Sequence, residues 1–199
     1  MREFIPKEET RILAWDDGSF DRGQKGKIPL VGVVFRGGSF MDGLIKREVE
    51  IDGTDAEQVI IEAIRATKFK DLRVMMTDGI TFGGFNTVNI RNIYQQTGLP
   101  VIAVNRKAPD FPAFMRALDK FPDSAVRKKA VSDSGDIQWV DVKAEGMEGN
   151  LAVQTSGIGI EHARRILRLT CMHALMPEPL RIAHLIATGL VKGESVGRA

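Results

Sequence analysis

The sequence predicts a single α/β domain over residues 1–199: a mixed sheet, with an antiparallel meander of three strands joined to parallel strands, flanked by helices. Three observations predict it. Strand-like segments at 10–16, 28–35 and 40–51 follow one another across short Gly-rich turns, the spacing of a meander. From Thr54 the apolar period lengthens to that of a helix, and the chain then runs helix, strand, helix, strand to Val104. That order requires parallel pairing with right-handed crossovers. Finally, Leu72 to Thr77 is nearly continuous in apolar residues, as a central strand covered on both faces must be.

Each element has its own signal. In the third strand, Lys46 to Ile51 alternates polar and apolar residues. In the first helix, 54–67, Val59, Ile60, Ala63, Ile64 and Thr67 share one face; Thr54 and Asp55 are N-cap candidates, and Glu57 completes a T-x-x-E capping box. A helix over 87–97 is stopped by Gly98 and Pro100, and a strand follows at 101–104. Residues 112–130 read as one helix, 137–142 and 151–154 as short strands, and 160–173 as a basic amphipathic helix. A last helix over 177–190 begins with proline in its first turn, and the tail 192–199 is expected to be mobile.

Composition narrows the function classes. With 43% hydrophobic and 27% charged residues the chain is typical of a soluble globular protein. It has no apolar run of about 18 residues, so no membrane span or membrane partner is expected. The charged start, Met1 to Glu9, lacks the core of a signal peptide, and the single cysteine, Cys171, fits a reducing cytoplasm and a packing role. A net charge of +2 does not by itself demand nucleic acid. Two local stretches speak for it: Arg116, Lys120, Arg127, Lys128 and Lys129, then Arg164, Arg165 and Arg168. They read either as solvated helix faces or as contacts to a phosphate backbone.

The chemistry is carried by acids at strand ends. Asp78 stands where the central strand leaves the core, followed by Gly79, Gly83 and Gly84. The first strand ends in Asp16-Asp17-Gly18. If these strands are neighbours, their carboxylates converge and repel one another unless a hard cation, magnesium or manganese, lies between them. Capping of the following loops is the alternative role for Asp16 and Asp78. Asp17 points to the face opposite Asp16, because strand side chains alternate. Gly79 and Gly83 let the backbone approach a ligand, as in a pocket for a flipped base, or serve tight turns. Phe82 and Phe85 read as stacking partners or as core.

Three antiparallel strands followed by helix, strand, helix, strand is the order of a ribonuclease H-like sheet, in which the first and fourth strands are adjacent. Within it, Asp71 to Gly79 with its Gly-rich loop, the helix ending Gln-Gln-Thr-Gly-Leu-Pro, and Val101 to Lys107 resemble endonuclease V. So do Ala14-Trp15-Asp16 with Ser19-Phe20, Ser156 to Ala163, and Pro177-Glu178-Pro179-Leu180-Arg181-Ile182-Ala183-His184. These matches occur in the family's order across residues 11–189. Asp16-Asp17-Gly18, Asp52-Gly53-Thr54-Asp55-Ala56 and the ending at 177–184 bring the chain nearest the archaeal sister group, endonuclease dU. It departs from endonuclease V in lacking the Pro-Tyr-Ile-Pro wedge in 36–46 and the histidine of the loop after the second acid.

The resemblance implies a metal-dependent endonuclease acting on DNA with a deaminated base, deoxyuridine first and deoxyinosine second. Magnesium would be the cofactor and manganese a substitute. It implies Asp16 and Asp78 as metal ligands and a middle acid among Asp52, Asp55 and Glu57. Asp55 is preferred for its place at a helix start near the sheet edge, with N-capping as its other role. It adds His184 to the site and leaves His162 and His173 as surface or packing residues. Arg106 and Lys107, after the fifth strand, would hold the scissile phosphate; Arg181 would contact phosphate or pair with a helix neighbour. Two alternatives remain: a nucleic-acid-binding protein on a decayed nuclease fold, and a nuclease directed at RNA.

Overall fold

The computed structural model describes residues 6–196. Strands β1 (Arg11–Asp17), β2 (Lys27–Arg36) and β3 (Phe40–Glu50) form the expected meander, with Trp15 opposite Gly32 and Val33 opposite Leu44. A Cβ at residue 32 would lie 2.7 Å from the Trp15 ring, so a glycine in the middle of β2 makes room for the indole. Helix α1 (Ala56–Ala66) leads to β4 (Val74–Asp78), a two-stranded ribbon of β5 (Thr81–Phe82) and β6 (Asn86–Thr87), helix α2 (Ile90–Thr97) and β7 (Val101–Asn105). The chain continues through α3 (Phe111–Leu118), α4 (Ser124–Asp133), β8 (Gln138–Ala144), β9 (Met147–Ser156), α5 (Ile160–Thr170) and α6 (Glu178–Lys192).

The seven main strands lie in the order β3-β2-β1-β4-β7-β9-β8. β4 pairs in parallel with β1 and with β7, while β9 runs antiparallel to β7 and to β8. Alternation sorts the central strands onto two cores. Leu13, Trp15 and Met75 pack with Ile60 and Ala63 of α1 and Ile90 and Ile93 of α2. Ile12, Ala14, Val74 and Met76 pack with Ile166 and Leu167 of α5 and Leu180, Ala183 and Ala187 of α6. The parallel register sets Trp15 beside Thr77. The next residues, Asp16 and Asp78, therefore leave the core together at the C-terminal edge of the sheet, on the α5/α6 face.

Several local expectations are corrected. The single helix over 112–130 is two helices, α3 and α4, broken around Phe121-Pro122, because proline disfavours helical backbone at the residue before it. The helix over 87–97 begins only at Ile90, since Asn86 and Thr87 pair with Phe82 and Thr81; Asn89 is its cap, accepting from the N–H groups of Arg91 and Asn92. Helix α5 ends at Thr170, short of His173. Strand β9 begins at Met147, earlier than its apolar stretch suggested. Glu57 closes no capping box: it accepts from Asn89 N–H and the Asn92 amide, joining α1 to α2. Of the tail expected to be mobile, Lys192 belongs to α6, residues 193–196 are described, and 197–199 lie outside the described residues, as do 1–5. Among the described residues no helix is long and apolar enough to cross a membrane.

Candidate active site

The two strand-end acids meet α6 at one point. Asp16 is 6% exposed; its Oδ1 accepts from Asp17 N–H at 2.9 Å, and its Oδ2 lies 2.9 Å from His184 Nδ1. Asp78 opens onto a cleft of about 370 Å³ lined by Asn105, Arg106, Lys107, Met176, Leu180, Arg181 and His184. Loss of surrounding water, then the charge of Asp16, push the Asp78 carboxyl up to about 6, against the pull of Arg106 and His184. The hydrogen bond to Asp16 holds His184 protonated to higher pH than an ordinary imidazole, and the charges of Asp16 and Asp78 act in the same direction. Arg106 and Lys107 have no ion-pair partner among the described residues, so both are free to meet an anion in the cleft. Arg181 is already engaged: its Nε donates to Glu178 Oε2 at 2.8 Å.

Asp17 faces the other way, as alternation requires, but it is electrostatically part of the same group. Its Oδ2 accepts from Gly83 N–H at 2.9 Å. Burial first, then Asp16, with a smaller push from Asp78, raise it to about 7. Three carboxylates at one sheet edge thus repel one another, as their clustering in the sequence suggested.

The middle acids are not in this group. Asp55 Oδ1 accepts from Glu50 N–H at 3.1 Å and from the Asn86 amide at 2.7 Å. It occupies the N-cap position of α1 without making a side-chain cap. Asp52 Oδ1 accepts from Phe85 N–H at 2.9 Å, and Glu57 is bound to α2. Among the described residues no three acidic, imidazole or thiol groups are assembled to hold a metal ion. The structure brings together Asp16, Asp78 and His184, with Asp17 behind them, and sets Asp55 apart.

Both predicted glycines sit in turns. Gly79 N–H donates to Val104 O at 2.8 Å, and its carbonyl accepts from Thr77 Oγ1 at 2.6 Å. Gly83, at φ +51°, presents its N–H to Asp17. Phe82 is buried, and Phe85 packs against Phe114 and Phe121 at 5.7 and 5.3 Å between ring centroids, so neither is a free stacking surface. Arg127, read from sequence as part of a basic face, is 4% exposed and binds Asp123, Phe85 O and Asp52 O. Lys128, Lys129 and Arg164 pair with Asp119, Asp133 and Glu161. Cys171 packs as expected, its thiol pushed up to about 12 by burial.

A family model for endonuclease dU matches residues 8–191. The chain belongs to the endonuclease dU family. A UPF0215 protein of Methanosarcina acetivorans is 43% identical over 198 residues, spanning 99% of this chain and 98% of its own. A UPF0215 protein of Pyrococcus horikoshii is 41% identical over 191 residues, spanning 95% of this chain and 96% of its own. A solved protein of unknown function from Archaeoglobus fulgidus superposes with a TM-score of 0.80 at 34% identity, over 91% of this chain and 97% of that one. Endonuclease V of Ciona intestinalis, solved with DNA containing an inosine, gives a TM-score of 0.58 at 13% identity, over 87% and 82% of the two chains. The fold of this endonuclease dU chain is accordingly ribonuclease H-like.

The donor set of the endonuclease dU site suits a hard divalent cation in one respect. Asp16 and Asp78 stand at neighbouring strand ends, and burial, with the charge of Asp16 added, lets Asp78 hold its proton to about 6. Magnesium is commonly bound by one or two carboxylates, with water and substrate phosphate completing its shell, so two acids suffice. Three cleft residues were missed in the sequence: Asn105, Met176 and Leu180. Asn105 had a signal, since it stands at the exit of a buried strand immediately before two cations. Met176 and Leu180 had none, because apolar residues flanking a proline read as core.

Proposed function

We propose that the protein is a magnesium-dependent endonuclease that hydrolyses a phosphodiester in DNA carrying a deaminated base, uracil first and hypoxanthine second, with manganese as a substitute metal. The observation that carries this reading is Asp78, beside the buried Asp16, in a cleft that it shares with the unpaired Arg106 and Lys107. The likeness to Ciona endonuclease V, solved with inosine-containing DNA, supports the substrate class. Bound by Asp16 and Asp78, magnesium would supply charge neutralisation and a more acidic water. The remaining roles belong to the chain. Arg106 and Lys107 hold the phosphate and offset the charge that grows on it. His184, fixed through Nδ1 by Asp16, keeps an imidazole at the cleft wall, where it donates or takes a proton near neutral pH. No serine or cysteine lines the cleft, so a hydroxyl or thiol nucleophile from the chain has no part in this reading.

One observation favours a second reading, a nucleic-acid-binding protein without hydrolysis: the preferred middle acid, Asp55, is committed to Glu50 and Asn86. A single experiment separates the two. End-labelled duplexes holding one uracil, one hypoxanthine or only normal bases are incubated with magnesium, manganese or chelator. Metal-dependent cutting of a deaminated duplex is expected. Binding that survives chelator, with no cutting under either metal, would establish the second reading.

A further inference from the structure

The loop from Gly18 to Lys27, joining β1 to β2, leaves the sheet two residues after Asp16, and Phe20 to Lys27 are all exposed. Its two ends are fixed. At the first, Gly18 N–H donates to Pro29 O at 2.8 Å, and α6 presses in so closely that a Cβ on Gly18 would lie 2.7 Å from Val191 Cγ2. At the second, Gly26 O accepts from Ile51 N–H at 2.8 Å. Between them, Asp21 and Gln24 close a turn on each other, Asp21 N–H to Gln24 Oε1 and Gln24 N–H to Asp21 O. The result is a projection with an anchored base and a solvated tip.

Its chemistry is unlike that of the rest of the rim. Phe20 is a 36% exposed aromatic. Its ring lies over the turn that holds Asp17, since a Cβ built on Gly84 would stand 3.4 Å from Phe20 Cζ. The other aromatics near the acids, Phe82 and Phe85, are taken by the core. Arg22 and Lys25 oppose a single carboxylate of the loop, Asp21, while Lys27, the first residue of β2, stands opposite Glu50 of β3; none of the three has an ion-pair partner among the described residues. In the basic stretches that looked promising in the sequence, Arg127, Lys128, Lys129 and Arg164 are instead neutralised by neighbours. Topology then sets the geometry. β4 lies between β1 and β7, so the loop after β1 and the cations after β7 leave the sheet on opposite sides of Asp78, from strand ends about 10 Å apart at two strand spacings. A polyanion crossing the acid pair needs cations on both flanks. Here both are present, and one carries an exposed ring as well.

We infer that residues 18–27 form a strand-binding arm for nucleic acid, in which Phe20 stacks on an unpaired base while Arg22, Lys25 and Lys27 take the adjoining phosphates. The inference rests on the nuclease reading above and extends its substrate surface beyond the cleft. A stacking ring demands an exposed base face, so the arm favours single-stranded or locally opened DNA over intact duplex.

The test is equilibrium binding of a fluorescent single strand and the matching duplex in chelator, across a salt series, beside cleavage of the uracil duplex with magnesium. The proteins are the full chain, Phe20→Ala, Phe20→Leu, the pair Arg22→Gln/Lys25→Gln, and Lys68→Gln, an exposed control at the opposite edge of the sheet. Phe20→Ala and Phe20→Leu are expected to weaken single-strand binding on the order of 10-fold, and duplex binding less. The paired variant should lower the slope of log K against log salt by about 1.4 on the single strand, while Lys68→Gln leaves it unchanged. If the unaltered chain binds and cuts while the arm variants match it, or if Lys68→Gln falls as far as they do, the arm is wrong and the nuclease reading stands. If the unaltered chain neither binds nor cuts, both fall.

Discussion

Two acidic groups sit near the C-terminal edge of this sheet, and the fold treats them oppositely. At the start of α1, Asp52, Asp55 and Glu57 each accept at least one backbone N–H, and Asp55 and Glu57 take an asparagine amide as well. At the ends of β1 and β4, Asp16, Asp17 and Asp78 crowd one another, and two of them hold protons far above the carboxylate range. The first group spends its charge on local structure. The second is poorly hydrated and self-repelling, a state that protons or a cation relieve, and one of its members, Asp78, opens onto a cleft. Electrostatic frustration of this kind distinguishes a site from a brace.

The largest expected effect breaks the frustrated group. Asp78→Asn and Asp16→Asn should each lower cleavage of the uracil duplex by roughly 10³-fold or more, since each removes a charge that positions the reacting centre. Neither should unfold the protein. Asp78→Asn, which removes a poorly hydrated charge beside Asp16 and leaves the Asp16–His184 bond in place, should raise the melting temperature measured in chelator at pH 8. Cleavage near the normal rate in either variant would remove the pair from the mechanism.

The next effect falls on the brace. Asp55→Ala removes the acceptor of Glu50 N–H and one of the two acceptors of the Asn86 amide, which keeps Glu50 O, and should cost about 1 kcal/mol by denaturant titration. The folded variant should still cut within a few-fold of the normal rate. If cutting instead collapses as in Asp78→Asn while stability is unchanged, Asp55 belongs with the metal ligands after all.

This contrast marks how far the sequence could be read. The meander, the parallel β1–β4–β7 core and the adjacency of Asp16 and Asp78 were legible because buried strands impose an apolar run, and topology then fixes which ends meet. His184 was legible only through resemblance; nothing in its own helix marks it. Asp55 was not decided by the sequence, because an acid beside a helix start reads identically whether it serves a metal or a hydrogen bond. Its bond to Asn86 was illegible, since Asn86 is distant in sequence and placed by the β5–β6 ribbon, two strands of two residues each, too short to leave a period. Arg127 misled for a related reason. Its burial depends on backbone carbonyls at Asp52 and Phe85, which carry no residue-type signal.

A smaller effect sharpens the comparison through pH. Asp17 and Asp78 are raised from 3.8 to about 7 and about 6. A raised carboxyl favours the fold while protonated, so its contribution is full below pH 4 and is lost as pH climbs through 6 and 7. His184, also raised, loses its ion pair with Asp16 in the same direction. In chelator, stability should therefore fall from pH 4 upward, through pH 7. Asp17→Asn keeps an oxygen for Gly83 N–H but removes the titration. It should be more stable than the unaltered chain by about 1 kcal/mol at pH 8, after allowing for solvent screening, and equal to it below pH 4. A flat profile in the unaltered chain would mean that the acids are not crowded in solution.

The smallest effect is expected at Asp52, and its smallness is informative. Asp52 is the one described non-glycine residue with positive φ, +54°, a conformation that asparagine adopts at least as readily as aspartate. Asparagine also keeps the oxygen that accepts from Phe85 N–H. Asp52→Asn therefore removes only the charge. Stability should stay within about 0.5 kcal/mol, and cleavage should be unchanged. If the α1 acids are braces, their charge is dispensable wherever the hydrogen bond is preserved. A substantial loss of cutting in a variant that melts normally would show the charge itself at work, and would join the two acidic groups into one site.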